Sequence, residues 1–269
     1  MGEKDKQAGM FFDRNHLKAP HRTASMKHNP SLLQIMRFFP LILGWMFGWM
    51  FSPFVAAFPE QFSATYTVSV GDTIMGEANW SLKPTGGGHY RYDAVTFPTG
   101  FISLFYKSRR TEHSEWHYQG DRIRPLLYRY NRGGKKDRKV KVVFDWDQGI
   151  VWNTAKGKTW EMPIPPGTLD KNVCVLALMQ DLARGLRDFE YPIADGGRIK
   201  TYRFSFVGEE VFDTALGRLQ TLRIKRIREN ATRETTYWCA PKFDYLPVKV
   251  VHREKDGKII TMRISEFFG

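Results

Sequence analysis

Histidine, glutamate and histidine alternate within Thr111-Glu112-His113-Ser114-Glu115-Trp116-His117. Two imidazoles and a carboxylate can ligate a divalent metal. On a strand, His113, Glu115 and His117 would share one face, because side chains alternate with period two. They would also stand nearly 7 Å apart along the strand, about twice the rise per residue. The segment is not the helical H-E-x-x-H motif. The trio is therefore a weak metal candidate and otherwise a polar strand face, and no cofactor is expected.

Other pairings are poorer. No G-x-S-x-G elbow is present, and neither Ser103 nor Ser205 has a neighbouring motif that nominates a base. Nothing local supports Cys174 with His252 as a nucleophile–base pair. Asp145 and Asp147 read as strand-ending turn chemistry, and Gly86-Gly87-Gly88 as a turn rather than a phosphate loop. With no catalytic residue nominated, a non-enzymatic protein is expected.

Cys174 and Cys239 match no metal or redox spacing. They read either as small buried hydrophobes or, in an oxidising compartment, as a disulfide, which needs Cα atoms within about 7 Å. The densest basic stretch runs from Arg132 to Lys141. Its Lys135, Lys136, Arg138, Lys139 and Lys141 are candidates for contact with an anionic surface, or else a solvated hairpin tip. Five tryptophans, Trp80, Trp116, Trp146, Trp152 and Trp160, are candidates for lining an apolar ligand site, against the alternative that they fill the core.

The elements that must position these residues are mostly strands. From Phe62 onward, short alternating segments are broken by turn signals such as Gly71-Asp72, Gly120-Asp121 and Gly133-Gly134, the pattern of antiparallel strands. About a dozen are expected: one ending at Val70, then 76–83, 89–97, 109–119, 123–131, 139–146 and 150–155, and later 198–207, 219–228, 233–239, 246–253 and 258–267. Between the two series, Val173, Leu176, Met179 or Gln180, Leu182 and Leu186 predict one helix over 169–187, with Thr168 or Asp170 as its N-cap. The fold class is mainly β: a large curved antiparallel sheet, or an open half-barrel, covered by one helix.

The N-terminal segment is different in kind. Residues 38–58 form an uncharged apolar run after Lys27 and Arg37, ending in Val55-Ala56-Ala57. A positive flank, an apolar stretch and small residues at its exit describe a secretory signal peptide with cleavage after Ala57. Met26 would give a leader of ordinary proportions, so residues 1–57 are assigned to an extension plus signal peptide and 58–269 to one β-rich domain. The run is also long enough to span a bilayer if retained. Periplasmic location is expected, with inner-membrane anchoring as the alternative and membrane contact only through the leader.

The net charge is +13, and residues 1–57 hold seven Lys/Arg against three Asp/Glu. The remainder, with 34 basic and 25 acidic groups, is +9. That suits anionic partners. Export argues against nucleic acid, leaving an envelope lipid or another envelope protein.

The C-terminal half carries Thr214-Ala215-Leu216-Gly217, then Leu219-Gln220-Thr221-Leu222-Arg223-Ile224. Tyr237-Trp238-Cys239-Ala240-Pro241, Tyr245-Leu246-Pro247-Val248-Lys249-Val250 and Asp256-Gly257 follow. With Phe101-Ile102-Ser103-Leu104-Phe105-Tyr106 and Ile123-Arg124-Pro125, this resembles the family called domain of unknown function 3108, found in Gram-negative envelope proteins. The resemblance covers roughly 60–267 and departs at Cys239, where an aliphatic residue is expected. It implies compartment and fold and brings no established activity. The function expected is binding or carrying an apolar or anionic envelope component, or docking another envelope protein through a sheet edge or basic surface.

Overall fold

Phe62, Ala64, Tyr66 and Val68 are buried while the residues between them are not, the period-two signature of a strand with one face on a core. The same alternation recurs along most of the chain. The computed structural model describes residues 58–105, 107–134, 137–227 and 233–269; the leader lies outside them. Fourteen strands follow. β1 to β4 are Phe62–Val70, Thr73–Gly86, His89–Pro98 and Arg110–Gln119. β5 to β8 are Arg122–Arg132, Arg138–Asp145, Ile150–Ala155 and Lys158–Pro163. After helix α1 (Cys174–Ala183) come β9 (Asp188–Ala194), β10 (Ile199–Thr214) and β11 (Gly217–Ile227). β12 (Glu234–Ala240), β13 (Leu246–Arg253) and β14 (Ile259–Phe268) complete the chain.

All fourteen strands join one antiparallel sheet in the order β8-β7-β6-β5-β4-β3-β2-β1-β14-β13-β12-β11-β10-β9. The first and last strands pair at its centre, and two meanders run outward from them. The sheet is curved and not closed: β8 and β9 are its edges. Residues 164–187 cross from one edge to the other and carry α1 over the inner face. Side chains latch the edges without strand pairing. Trp160 of β8 packs so closely on Gly197 that a Cβ there would meet the indole at 2.5 Å. Leu169 adds a short parallel bridge to Ile193 of β9.

The core is built from the inner face and the helix. Tyr66, Trp80, Tyr92, Trp116, Ile224 and Val248 pack with Leu176, Leu178, Met179 and Leu182 of α1. Among the described residues the buried core runs from Phe62 to Ile264, and the described residues from 58 onward belong to one compact unit.

The half-barrel expectation therefore holds, with two corrections of detail. The helix is shorter than 169–187. Gly185 takes a left-handed φ of +85°, with Gly185 N–H donating to Leu182 O and Leu186 N–H to Asp181 O. This Schellman pattern stops a helix at the residue before the glycine, and it leaves Leu186 49% exposed. β8 and β9, both edge strands, were not among the dozen expected.

Candidate functional site

Because the strands alternate in direction, their turns gather at two ends. The lower end carries the turns at 87–88, 120–121 and 241–245, and α1 plugs it. Gln180 Nε2 donates to Tyr118 Oη at 2.9 Å, and Arg184 donates to Asp121 O at 2.7 Å. At mid-height a buried polar knot anchors the approach to the helix. Ser114 Oγ and the backbone N–H groups of Asn172 and Val173 all donate to Asp170 Oδ1, at 3.0, 2.8 and 3.0 Å. Asn172 Nδ2 donates to Tyr92 O at 3.0 Å. Asp170 Oδ2 is buried without a hydrogen-bond partner among the described residues. Burial pushes this carboxyl up to about 7, against the three hydrogen bonds that pull it down.

No described residue plugs the upper end. There the inner face opens as an apolar mouth of about 310 Å³ lined by Val68, Val70, Met75, Pro98, Ile260 and Met262, among others. That is the small end of the range for ligand pockets, about 300–1,000 Å³. Among the described residues one cation belongs to its wall: Arg110 of β4, whose Nε is 3.6 Å from Glu112. Gly76 permits the close approach of β2 and β3 beneath the mouth, since a Cβ there would stand 2.1 Å from Phe97 O.

A 3-10 turn, Gly100–Leu104, forms the lip. Gly100 adopts φ +57°, Ser103 Oγ donates to Gly100 O at 2.7 Å, and Phe105 N–H donates to Ile102 O at 3.1 Å. The turn points Ile102 into the mouth and leaves Phe101, Leu104 and Phe105 72%, 68% and 67% exposed. Phe101 and Phe105 meet edge to face, centroids 5.0 Å apart. A second, more polar cleft of about 760 Å³ opens elsewhere, between the tip of the β10–β11 hairpin and the hydroxyl-bearing residues Thr67, Ser69, Thr261 and Ser265.

The sequence candidates fall in several places. His113 and Glu115 lie on the outer face, opposite Ser114 and Trp116. His113 Nδ1 is 2.9 Å from Asp93 Oδ1 and its Nε2 is 2.8 Å from Glu115 Oε1, so neither nitrogen is left for a metal. The hydrogen bond to Asp93 holds the imidazole proton above its ordinary range, outweighing burial. Burial works to raise Asp93, but the hydrogen bonds and charges of His113 and Arg91 prevail and lower it. His117 stacks on His89, centroids 5.7 Å apart. Among the described residues, no three His, Cys, Asp or Glu side chains are grouped to hold a metal.

None of the five tryptophans lines the mouth. Trp116 is fully buried and stacks on Tyr90 at 4.6 Å, and Trp80 packs on Tyr66 at 4.7 Å; both fill the plugged end. Trp146 Nε1 donates to Pro125 O at 2.6 Å, and Trp160 belongs to the edge latch. Trp152 is 39% exposed, so it is no ligand wall. Of the basic stretch, Arg138, Lys139 and Lys141 are exposed on β6, while Lys135 and Lys136 lie outside the described residues. Cys174 and Cys239 are both buried and unbonded, which corrects the disulfide alternative. Burial pushes the Cys174 thiol up to about 12 and raises Cys239 as well.

Sequence reasoning missed the mouth and its lip. The available signal was Phe-Ile-Ser-Leu-Phe between Gly100 and Lys107, an apolar cluster without strand alternation, followed by Arg109 and Arg110. The lining residues Val68, Ile260 and Met262 read only as inward strand positions.

Comparison with known proteins agrees with this architecture. A family model described as "Protein of unknown function (DUF3108)" matches residues 61–265, and the chain belongs to that family. No curated protein matches the chain. Among solved structures it is similar to a beta-barrel-like protein of domain of unknown function DUF1849 from Brucella abortus, with a TM-score of 0.53 and 8% identity over 77% of this chain and 96% of that one. At that identity the likeness is one of fold.

Proposed function

We propose that this is a non-enzymatic periplasmic binding protein that takes the apolar end of an anionic envelope lipid into the upper mouth. The observation that supports the reading is the mouth itself: apolar side chains from four strands around a cavity that no described residue plugs, with Arg110 the one cation among the described residues of its wall. An acyl chain gains by leaving water for such a surface, at roughly 25 cal/mol per Å² buried. A carboxylate or phosphate at its head would find the guanidinium a bidentate partner. The cavity is small, so it suits part of one chain and not a whole lipid. The export signal read at residues 38–58 supplies the compartment.

Titration with a fluorescent long-chain fatty acid tests this. The protein should bind it saturably, and Met75→Glu should abolish binding while leaving the fold intact by circular dichroism. Equal binding by wild type and M75E would contradict the assignment of the mouth.

A further inference from the structure

Among the described residues, none covers Phe101, Leu104 and Phe105 on the lip of the mouth. Its three large apolar side chains sit together on a turn whose backbone is internally hydrogen-bonded, so their exposure is a built feature of the loop. Exposed aromatic and leucine side chains grouped in this way mark an interaction surface. The charges around them narrow the partner. The 99–109 loop is tied to the β5–β6 hairpin by Ser108 Oγ donating to Gly133 O at 2.8 Å and Gly133 N–H donating to Arg109 O at 3.0 Å. The β7–β8 turn follows at the same end. Lys107, Arg109, Arg138, Lys156 and Lys158 stand exposed on these three connections and the strand ends beside them. Asp137 is the one acidic residue among the described residues of the three turns. A neutral apolar protein partner would gain nothing from that asymmetry, whereas a bilayer bearing phosphates would.

We propose that the Gly100–Leu104 turn is a membrane-docking foot: Phe101, Leu104 and Phe105 enter the headgroup region of an anionic bilayer while the surrounding lysines and arginines hold its phosphates. Apolar insertion and electrostatic attraction together are what interfacial binding requires. The proposal deepens the lipid reading of the same mouth, because docking there presents the cavity to the bilayer from which a chain would come. It also goes beyond the expectation that only the leader touches a membrane.

The test uses residues 58–269, which carry the described core, with an environment-sensitive dye on Leu104→Cys and, in a second protein, on Lys242→Cys at the opposite end. Cys174 and Cys239 are buried and should stay unlabelled. With phosphatidylglycerol vesicles the dye at position 104 should shift to the blue and the dye at 242 should not. Phosphatidylcholine vesicles should give no shift, and high salt should reverse it. Phe101→Ser combined with Phe105→Ser should weaken vesicle binding by about tenfold or more. A dye at 104 that stays in water, or that responds alike to both vesicles or alike to the dye at 242, would overturn the docking foot. Fatty-acid binding measured on the same protein separates the two readings. Binding without a shift at 104 overturns the foot and leaves the cavity standing; a shift without binding does the reverse.

Discussion

Ser114 and Asp170, 56 residues apart in sequence, meet through a 3.0 Å hydrogen bond from Ser114 Oγ to Asp170 Oδ1. That contact fixes the approach to α1 on the middle of the sheet and divides the interior into a plugged lower half and an open upper one. It also places a carboxyl where water cannot reach it.

Stability should therefore fall as pH rises through the weakly acidic range. Burial raises Asp170 to about 7 in the fold, against about 4 in an unfolded chain. Between those values the folded protein keeps a proton that the unfolded chain has released, so the fold loses stability with rising pH, by on the order of 4 kcal/mol once pH passes 7. Asp170→Asn keeps the Oδ1 acceptor and cannot ionise. His113, whose proton stabilises below about 6.5 and is lost as pH climbs through its raised value, contributes to both proteins alike. Urea unfolding between pH 4 and 7.5 should show wild type declining more steeply than D170N; parallel curves would contradict the assignment.

Gly76→Ala should be costly although alanine is a small residue. The added Cβ would stand 2.1 Å from Phe97 O, and backbone on a paired strand cannot yield as a flexible side chain would. Overpacking of this kind costs typically 1–3 kcal/mol, occasionally more. Chemical denaturation should place G76A at or above the top of that range.

Two leucines of the expected helical stripe, Leu176 and Leu186, should separate cleanly. Leu176 is completely buried, and Leu176→Ala should lose about 2–5 kcal/mol through lost transfer energy and the cavity left behind. Leu186→Ala, past the Schellman turn and half exposed, should change stability by no more than about 0.5 kcal/mol. Comparable losses in the two variants would show that the helix runs through 187 after all.

Both thiols should resist alkylation in the folded protein and react together once it unfolds. Burial keeps them protonated and shielded, and the thiolate is the reactive form. Intact-mass measurement after iodoacetamide should add no groups under native conditions and two in denaturant without reductant. A requirement for reductant would reveal a disulfide.

Much of the architecture was legible because alternation is a local signal. β1 shows it in Phe62, Ala64, Tyr66 and Val68, and the turn glycines mark the strand ends. What failed was local in another way. β9 contains Pro192, which cannot donate to a strand ladder and within a sheet belongs on edge strands, so its local strand signal is weak. Gly185 carried the stop signal for α1, but the apolar Leu186 beyond it prolonged the apparent stripe. The candidate site was far less legible. Tryptophan identity cannot say whether an indole fills a plugged end, as Trp116 does, or faces solvent, as Trp152 does. The mouth is an absence, the part of the inner face that α1 does not reach, and no residue type announces it.

The most direct test of the lipid reading is native mass spectrometry of the protein recovered from its own envelope fraction, before and after organic extraction. The account predicts a mature mass beginning at Phe58, carrying an additional mass that extraction removes and that Met75→Glu lacks. A wild-type protein that flies as the bare polypeptide before extraction would contradict it.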